Sequence, residues 1–64
     1  MNNTKEMKIG KLYCYKDMPN SILVVIDRYL FGDMWRVKTF YLGNPNIVCD
    51  DLEYSLCSVY KEVG

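Results

Sequence analysis

The chain has 64 residues, of which half are hydrophobic and nine are aromatic, and it carries eight basic and eight acidic side chains. A chain of this length forms one domain near the lower size limit for independent folding, where oligomerisation is a common remedy. The zero net charge disfavours a nucleic-acid binder that depends on phosphate contacts, because such proteins usually carry a basic excess. No apolar run approaches the roughly 20 residues that a transmembrane helix needs, so we expect no membrane partner.

The reactive side chains predict no catalysis. The three cysteines, Cys14, Cys49 and Cys57, show no C-x-x-C spacing, and no signal peptide precedes them, which favours reduced thiols and a cytoplasmic location. Histidine is absent, so a cysteine nucleophile lacks its usual base and a metal site lacks ligands. Asp50 and Asp51 are the only adjacent carboxylates, and a turn position suits capping better than acid–base work. We therefore expect no enzyme activity, no metal and no cofactor.

Charge is distributed unevenly along the chain. Residues 1–16 carry four lysines and one glutamate, whereas residues 50–64 carry four acids and one lysine. Two explanations are open. The first and last strands can lie side by side within one molecule, or copies can associate head to tail.

Residues 1–7 are polar and aperiodic, which predicts a flexible leader before a single domain at residues 8–63. A first strand is expected at 9–16 and a turn at 17–21. The strand at 21–27 organises the chain, because it holds five consecutive apolar residues, four of them β-branched. This run does not alternate, so both of its faces need cover.

The remaining elements follow at close spacing. A hairpin turn at 30–33 precedes a well-alternating third strand at 34–42, and a tight turn at 43–46 precedes a short strand at 47–49. The last segment allows two solutions. Either one helical turn at 51–55 leads into a fifth strand at 56–61, or a full C-terminal helix packs on a four-stranded antiparallel sheet, an α+β fold.

Three short stretches resemble a known family. Residues 8–13, Lys-Ile-Gly-Lys-Leu-Tyr, resemble the opening of Tudor- and KOW-like modules, and residues 22–27 are similar to their second strand. Asp51-Leu52-Glu53 resembles the acidic-leucine step before their last strand. The resemblance covers residues 8–61 and implies an all-β, five-stranded SH3-like small barrel with one helical turn before the last strand. It also implies a binding module without catalysis, and the Asn- and Tyr-rich composition is similar to that of small phage-encoded proteins.

Strand alternation then predicts an inner and an outer surface. The expected interior contains Ile9, Leu12, Cys14, Ile22, Val24, Ile26, Trp35, Val37, Tyr41, Ile47, Cys49 and Leu56. The expected outward-facing binding surface contains Tyr13, Tyr15, Leu23, Val25, Arg36, Lys38 and Phe40. Large apolar surface patches are rare on monomers.

This surface predicts a protein partner, self-association or both. The predicted function is that of an oligomeric inhibitor or adaptor of a host or cellular factor. One alternative is a binder of single-stranded nucleic acid or a small anionic ligand that stacks on the aromatic-basic face. Another is that the C-terminal segment, as a full helix, covers this face within the same molecule.

Overall fold

The structure is a computed structural model that describes residues 6–63. It is mostly β, with one short helix before the last strand, as predicted. The elements are β1 Leu12–Tyr15, β2 Met18–Phe31, β3 Met34–Tyr41, β4 Asn44–Leu52, α1 Glu53–Val59 and β5 Tyr60–Glu62. Residues 1–5 of the predicted leader lie outside the described residues.

The five strands form one antiparallel sheet in the order β4-β3-β2-β1-β5. The first strand therefore pairs with the last, which places the lysine-rich and acid-rich ends of the chain side by side. Lys16 Nζ donates to the Ser58 carbonyl at 3.2 Å across this junction. The intramolecular explanation of the charge distribution thus has a structural basis. β4 and β5 are the two edge strands of the sheet.

β2 carries a bulge in its middle. Val25 pairs with Thr39, but the next pair joins Asp27 to Lys38, so Ile26 is an extra residue. A bulge bends its strand and shifts the side-chain alternation beyond it. As a result Arg28, opposite Val37, lies on the same face as Val25.

The predicted orientation of β2 was wrong. Leu23 is 1% exposed and Val25 is fully buried, whereas Ile26 is 40% exposed and Ile22 and Val24 are half-buried. A run of five apolar residues fits either way round, so hydrophobicity alone does not orient it. The pairing with β3 decides, because inward-facing Thr39 and Tyr41 lie opposite Val25 and Leu23, and cross-strand partners share a face.

The orientation of β1 was wrong as well. Tyr13 is buried in the core, and its hydroxyl accepts the Lys8 N–H at 2.8 Å. Tyr15 packs against the core from its edge, while Leu12 is exposed. Three other residues predicted to lie inside are also exposed: Ile9, Trp35 and Ile47.

The core lies between the sheet and the helix. Its buried cluster consists of Met7, Tyr13, Leu23, Val25, Val37 and Tyr60, and Leu56 and Cys57 of α1 pack against it. The cover of Leu23 and Val25 is therefore intramolecular, although it comes from a seven-residue helix. The full C-terminal helix did not form, because Tyr60–Glu62 pairs with β1.

The segment before β1 belongs to the domain. Met7 is fully buried, and its N–H donates to Glu53 Oε2 at 2.8 Å. Gly10, at φ +87°, donates its N–H to the Val25 carbonyl at 2.8 Å. The predicted boundary at residue 8 therefore excluded one core residue.

Candidate interaction surface

The β2–β3 hairpin extends past the strands on either side of it. The ladder with β1 ends at Val24, and the ladder with β4 begins at Arg36. Beyond these points the hairpin continues as two strands to the turn at Gly32 and Asp33. Gly32 has φ +63°, a conformation that side chains other than glycine rarely adopt. We call residues 30–35 the hairpin arm.

The hairpin arm is apolar on both of its faces. Leu30 pairs with Trp35 and Phe31 pairs with Met34, and alternation sends the two pairs to opposite sides. All four side chains are exposed, Phe31 at 69% and Leu30 at 55%. Trp, Phe and Met are residue types enriched at protein interfaces. A hairpin tip is usually polar, so this composition indicates a contact surface.

One face of the arm's base is held by a part-buried ion pair. Arg28 Nε donates to Glu53 Oε2 at 2.6 Å and Nη2 donates to Oε1 at 3.2 Å, while Glu6 lies 3.5 Å from Nη1. The guanidinium also lies over the Trp35 ring, 3.9 Å from its centroid. Burial alone would raise the pKa of Glu53, but the hydrogen bonds from Arg28 and the Met7 N–H outweigh it and lower this pKa.

The other face of the base is held by an exposed network. Asp50 accepts hydrogen bonds from the Tyr29 hydroxyl and from Arg36 Nε, the latter at 2.9 Å. These two bonds lower the pKa of Asp50, and the bond to Asp50 raises that of Tyr29. Lys38 lies near the Tyr29 ring, with Nζ 5.8 Å from the centroid. Both faces of the base are thus tied to the body, which presents the hairpin arm in a defined orientation.

The charges near the arm are largely engaged. The guanidinium groups of Arg28 and Arg36 each donate to a carboxylate. Within residues 30–35 the one charged side chain is Asp33. The hairpin arm is therefore apolar and carries a single negative charge, a composition suited to contact with a protein surface rather than with phosphate groups.

A second apolar surface lies on the side of the sheet that faces away from α1. It spans β5, β1, β2 and β3 in two adjacent rows. We call it the outer band: Leu12, Cys14, Ile22, Val24, Phe40, Leu42 and Val63. Most of these side chains are exposed or half-buried, and Cys14 is buried between its cross-strand neighbours Ile22 and Lys61.

The seven residues predicted for binding do not share one surface. Tyr13, Leu23 and Val25 are core residues, and Tyr15 packs beside them. Arg36, Lys38 and Phe40 lie on the opposite face of the sheet.

Sequence reasoning missed the residues that shape the arm. They are Arg28, Leu30, Phe31, Trp35 and Glu53. The available signal was Leu-Phe-Gly-Asp-Met-Trp, which places four large apolar residues around a two-residue turn.

The tyrosines at the opposite end of the core pack on one another. The Tyr41 and Tyr60 hydroxyls share a hydrogen bond, and the Tyr15 and Tyr60 rings meet edge to face at 5.4 Å. Burial, with a contribution from this hydrogen bond, raises the pKa of Tyr60 well above its ordinary value. An open groove of about 410 Å³ lies beside Tyr41, lined by Ile22, Leu42 and the amide side chains of Asn20 and Asn44.

Within residues 6–63 no cluster of three or more His, Cys, Asp or Glu side chains is placed to hold a metal ion. No helix in this described part has the length and apolar character needed to cross a membrane. Comparison with known proteins found no matching family model, and no curated protein or solved structure matches the chain.

Proposed function

We propose that this chain is an SH3-like small barrel that binds another protein through its hairpin arm and catalyses no reaction. The fold supports this in three ways: β1 pairs with β5, the long β2 is bent by a bulge, and a short helix precedes the last strand. These features fit the five-stranded plan that the sequence resembles. Fold alone does not define function, so the proposed function depends on the surface of the hairpin arm.

The observation that carries it is the exposure of Leu30, Phe31, Met34 and Trp35 on a hairpin whose base is fixed. A hairpin that is already held in place loses less conformational entropy when it binds a partner. Aromatic side chains that can enter a partner's pocket are the usual centres of binding energy. A partner with an apolar cleft can accommodate the hairpin arm. The protein then acts as an inhibitor or adaptor of a host or cellular factor, in keeping with the resemblance to phage-encoded proteins.

Nucleic-acid binding has less support. The stacking surface predicted for it relied on Tyr13, which is buried, and on Arg36, whose guanidinium is engaged by Asp50. Salt-sensitive binding of a single-stranded oligonucleotide would be the signature of this alternative.

The test is affinity capture from the native host with three purified proteins: wild type, Phe31→Lys and the control Ile47→Lys. Phe31 and Ile47 are both strongly exposed apolar residues, but Ile47 lies on β4, away from the arm. We expect wild type and Ile47→Lys to retain one and the same protein and Phe31→Lys to lose it. Calorimetry with that purified protein should then show at least a tenfold weaker affinity for Phe31→Lys. Equal affinity for Phe31→Lys and wild type, or no retained protein at all, would contradict the proposal.

A further inference from the structure

We propose that a second copy of this chain covers the outer band, so that two sheets pack face to face about a two-fold axis. This goes beyond the proposed function, which uses the hairpin arm, and it concerns a different surface. The starting point is β2, whose apolar run at residues 22–26 is covered by its own chain on one side only.

The outer band is continuous across the sheet. Leu12 pairs with Val24, which pairs with Phe40, and the Val63 N–H donates to the Leu12 carbonyl, so these four residues form one row. Ile22 lies between Cys14 and Leu42 in the adjacent row. The only charged side chain in these two rows is Lys61, opposite Cys14 at the β5 edge.

The helix does not cover this surface. Leu56 and Cys57 of α1 pack against the cluster that contains Leu23 and Val25, on the other side of the sheet. At the rim of the outer band, Leu12 is 36% exposed and Val63 is 41% exposed. Within residues 6–63, seven hydrophobic residues are buried and fourteen large ones are exposed, so the fold leaves many large apolar side chains open to solvent.

The shape of the molecule suits a copy of itself. It measures 33 × 33 × 17 Å, so it is a flattened body with two broad faces. A standard stable interface takes about 800 Å² from each partner, which lies within the extent of one broad face. Aligned packing of two sheets, about 10 Å apart, is a common way to bury such faces.

Neutrality further favours a second copy. A two-fold interface brings each patch against itself, so a patch with several charges of one sign would repel its copy. The outer band avoids this, because its apolar rows contain one lysine at the edge and no acid. Val24 lies on β2, the middle strand of the sheet, and is therefore nearest to the proposed axis.

The experiment is analytical ultracentrifugation of the full chain over a wide concentration range. We expect wild type to reach twice the 7.5 kDa mass of one chain. Val24→Lys and Leu12→Lys should each remain at the single-chain mass, and mixing Val24→Lys with Val24→Glu should restore the doubled mass. Leu30→Lys on the hairpin arm is the matched control and should dimerise like wild type. Circular dichroism of each variant verifies folding, and the exposed Leu12 position keeps the test valid if Val24→Lys unfolds.

Three results would overturn the inference: a single-chain mass for wild type at all concentrations, a doubled mass that a folded Leu12→Lys variant retains, or a doubled mass that Leu30→Lys removes. The last result would place the self-contact on the arm. If Phe31→Lys loses the captured partner protein but Leu12→Lys retains it, the proposed function is upheld even when no dimer forms. The two proposals therefore fail independently.

Discussion

The Arg28 guanidinium donates two hydrogen bonds to the Glu53 carboxylate, at 2.6 and 3.2 Å, and so joins the far half of β2 to the start of α1. The same carboxylate accepts the Met7 N–H, which fastens the segment before β1. One acidic side chain thus connects three parts of the chain that are distant in sequence.

Glu53→Gln should lower the free energy of unfolding by about 2 kcal/mol, because it removes the charge that accepts hydrogen bonds from Arg28 and from the Met7 N–H. Urea denaturation monitored by tryptophan fluorescence measures this, since Trp35 lies against Arg28. Asp51→Asn is the matched control, because Asp51 is exposed, and it should change stability by less than about 0.5 kcal/mol. Equal stabilities of the two variants would show that the contact contributes little.

Acid should weaken the fold through the same carboxylate. The pKa of Glu53 is lower in the folded protein than in the unfolded chain, so the unfolded chain binds more protons as the solution becomes acidic. The contribution of Glu53 is complete above the ordinary carboxyl pKa of about 4.3 and is lost as the pH falls through the lowered folded value. Asp50, whose pKa is also lowered, acts in the same direction from an exposed position.

Unfolding measured from neutral to strongly acidic pH should therefore show a flatter profile for Glu53→Gln than for wild type. Asp50→Asn should flatten the profile less, because its partners are exposed to solvent. A Glu53→Gln profile parallel to that of wild type would be inconsistent with the lowered pKa.

Two leucines on β2 test the orientation of that strand. Leu23→Ala should lower the free energy of unfolding by about 3 kcal/mol, because it opens a cavity in the core. Leu30→Ala, on the exposed arm, should lower it by less than about 1 kcal/mol. Thermal denaturation of both variants under one set of conditions gives the comparison. The reverse ranking would mean that the opposite face of the strand is buried.

The hydrogen bond between Tyr41 and Tyr60 should be visible in alkaline titration. Burial raises the pKa of Tyr60, so this phenol should ionise last, in the range where the protein unfolds. Tyr60→Phe should remove the last step from the absorbance titration and lower the free energy of unfolding by about 1 kcal/mol. Tyr54→Phe, on the exposed side of α1, is the control and should leave both the Tyr60 step and the stability unchanged.

The order of the elements was predictable from the sequence because turns and alternation mark them locally. Gly32-Asp33 closes the expected hairpin, and a short helix precedes the last strand, as expected. Lengths were less predictable, since β2 extends to Phe31 only through its pairing with β3. Pairing between strands also decides whether Ile22 or Leu23 lies inside. The sequence of residues 22–26 gives no sign of this choice, because every residue in it is apolar.

The predicted binding surface was misplaced for a related reason. The structure covers one face of this strand within the same chain, and it is the face opposite to the one predicted to lie inside. Exchanging the two faces moves Leu23 and Val25 into the core and leaves Val24 half-buried on the other side. The ion pair between Arg28 and Glu53 was not predictable, because it depends on the extra residue at position 26 and on the helix start, which lies 25 residues from Arg28.

That extra residue acts as a phase shift in the middle of β2. Before Ile26 the odd-numbered side chains face the core, and after it the even-numbered Arg28 lies on that same side of the sheet. A regular ladder that included Ile26, without the bulge, would keep the strand in a single phase, turn Asp27 inward toward Glu53, and turn Arg28 to solvent. The bulge at one apolar residue thereby sets an attraction between opposite charges where a regular strand would set a repulsion between like ones.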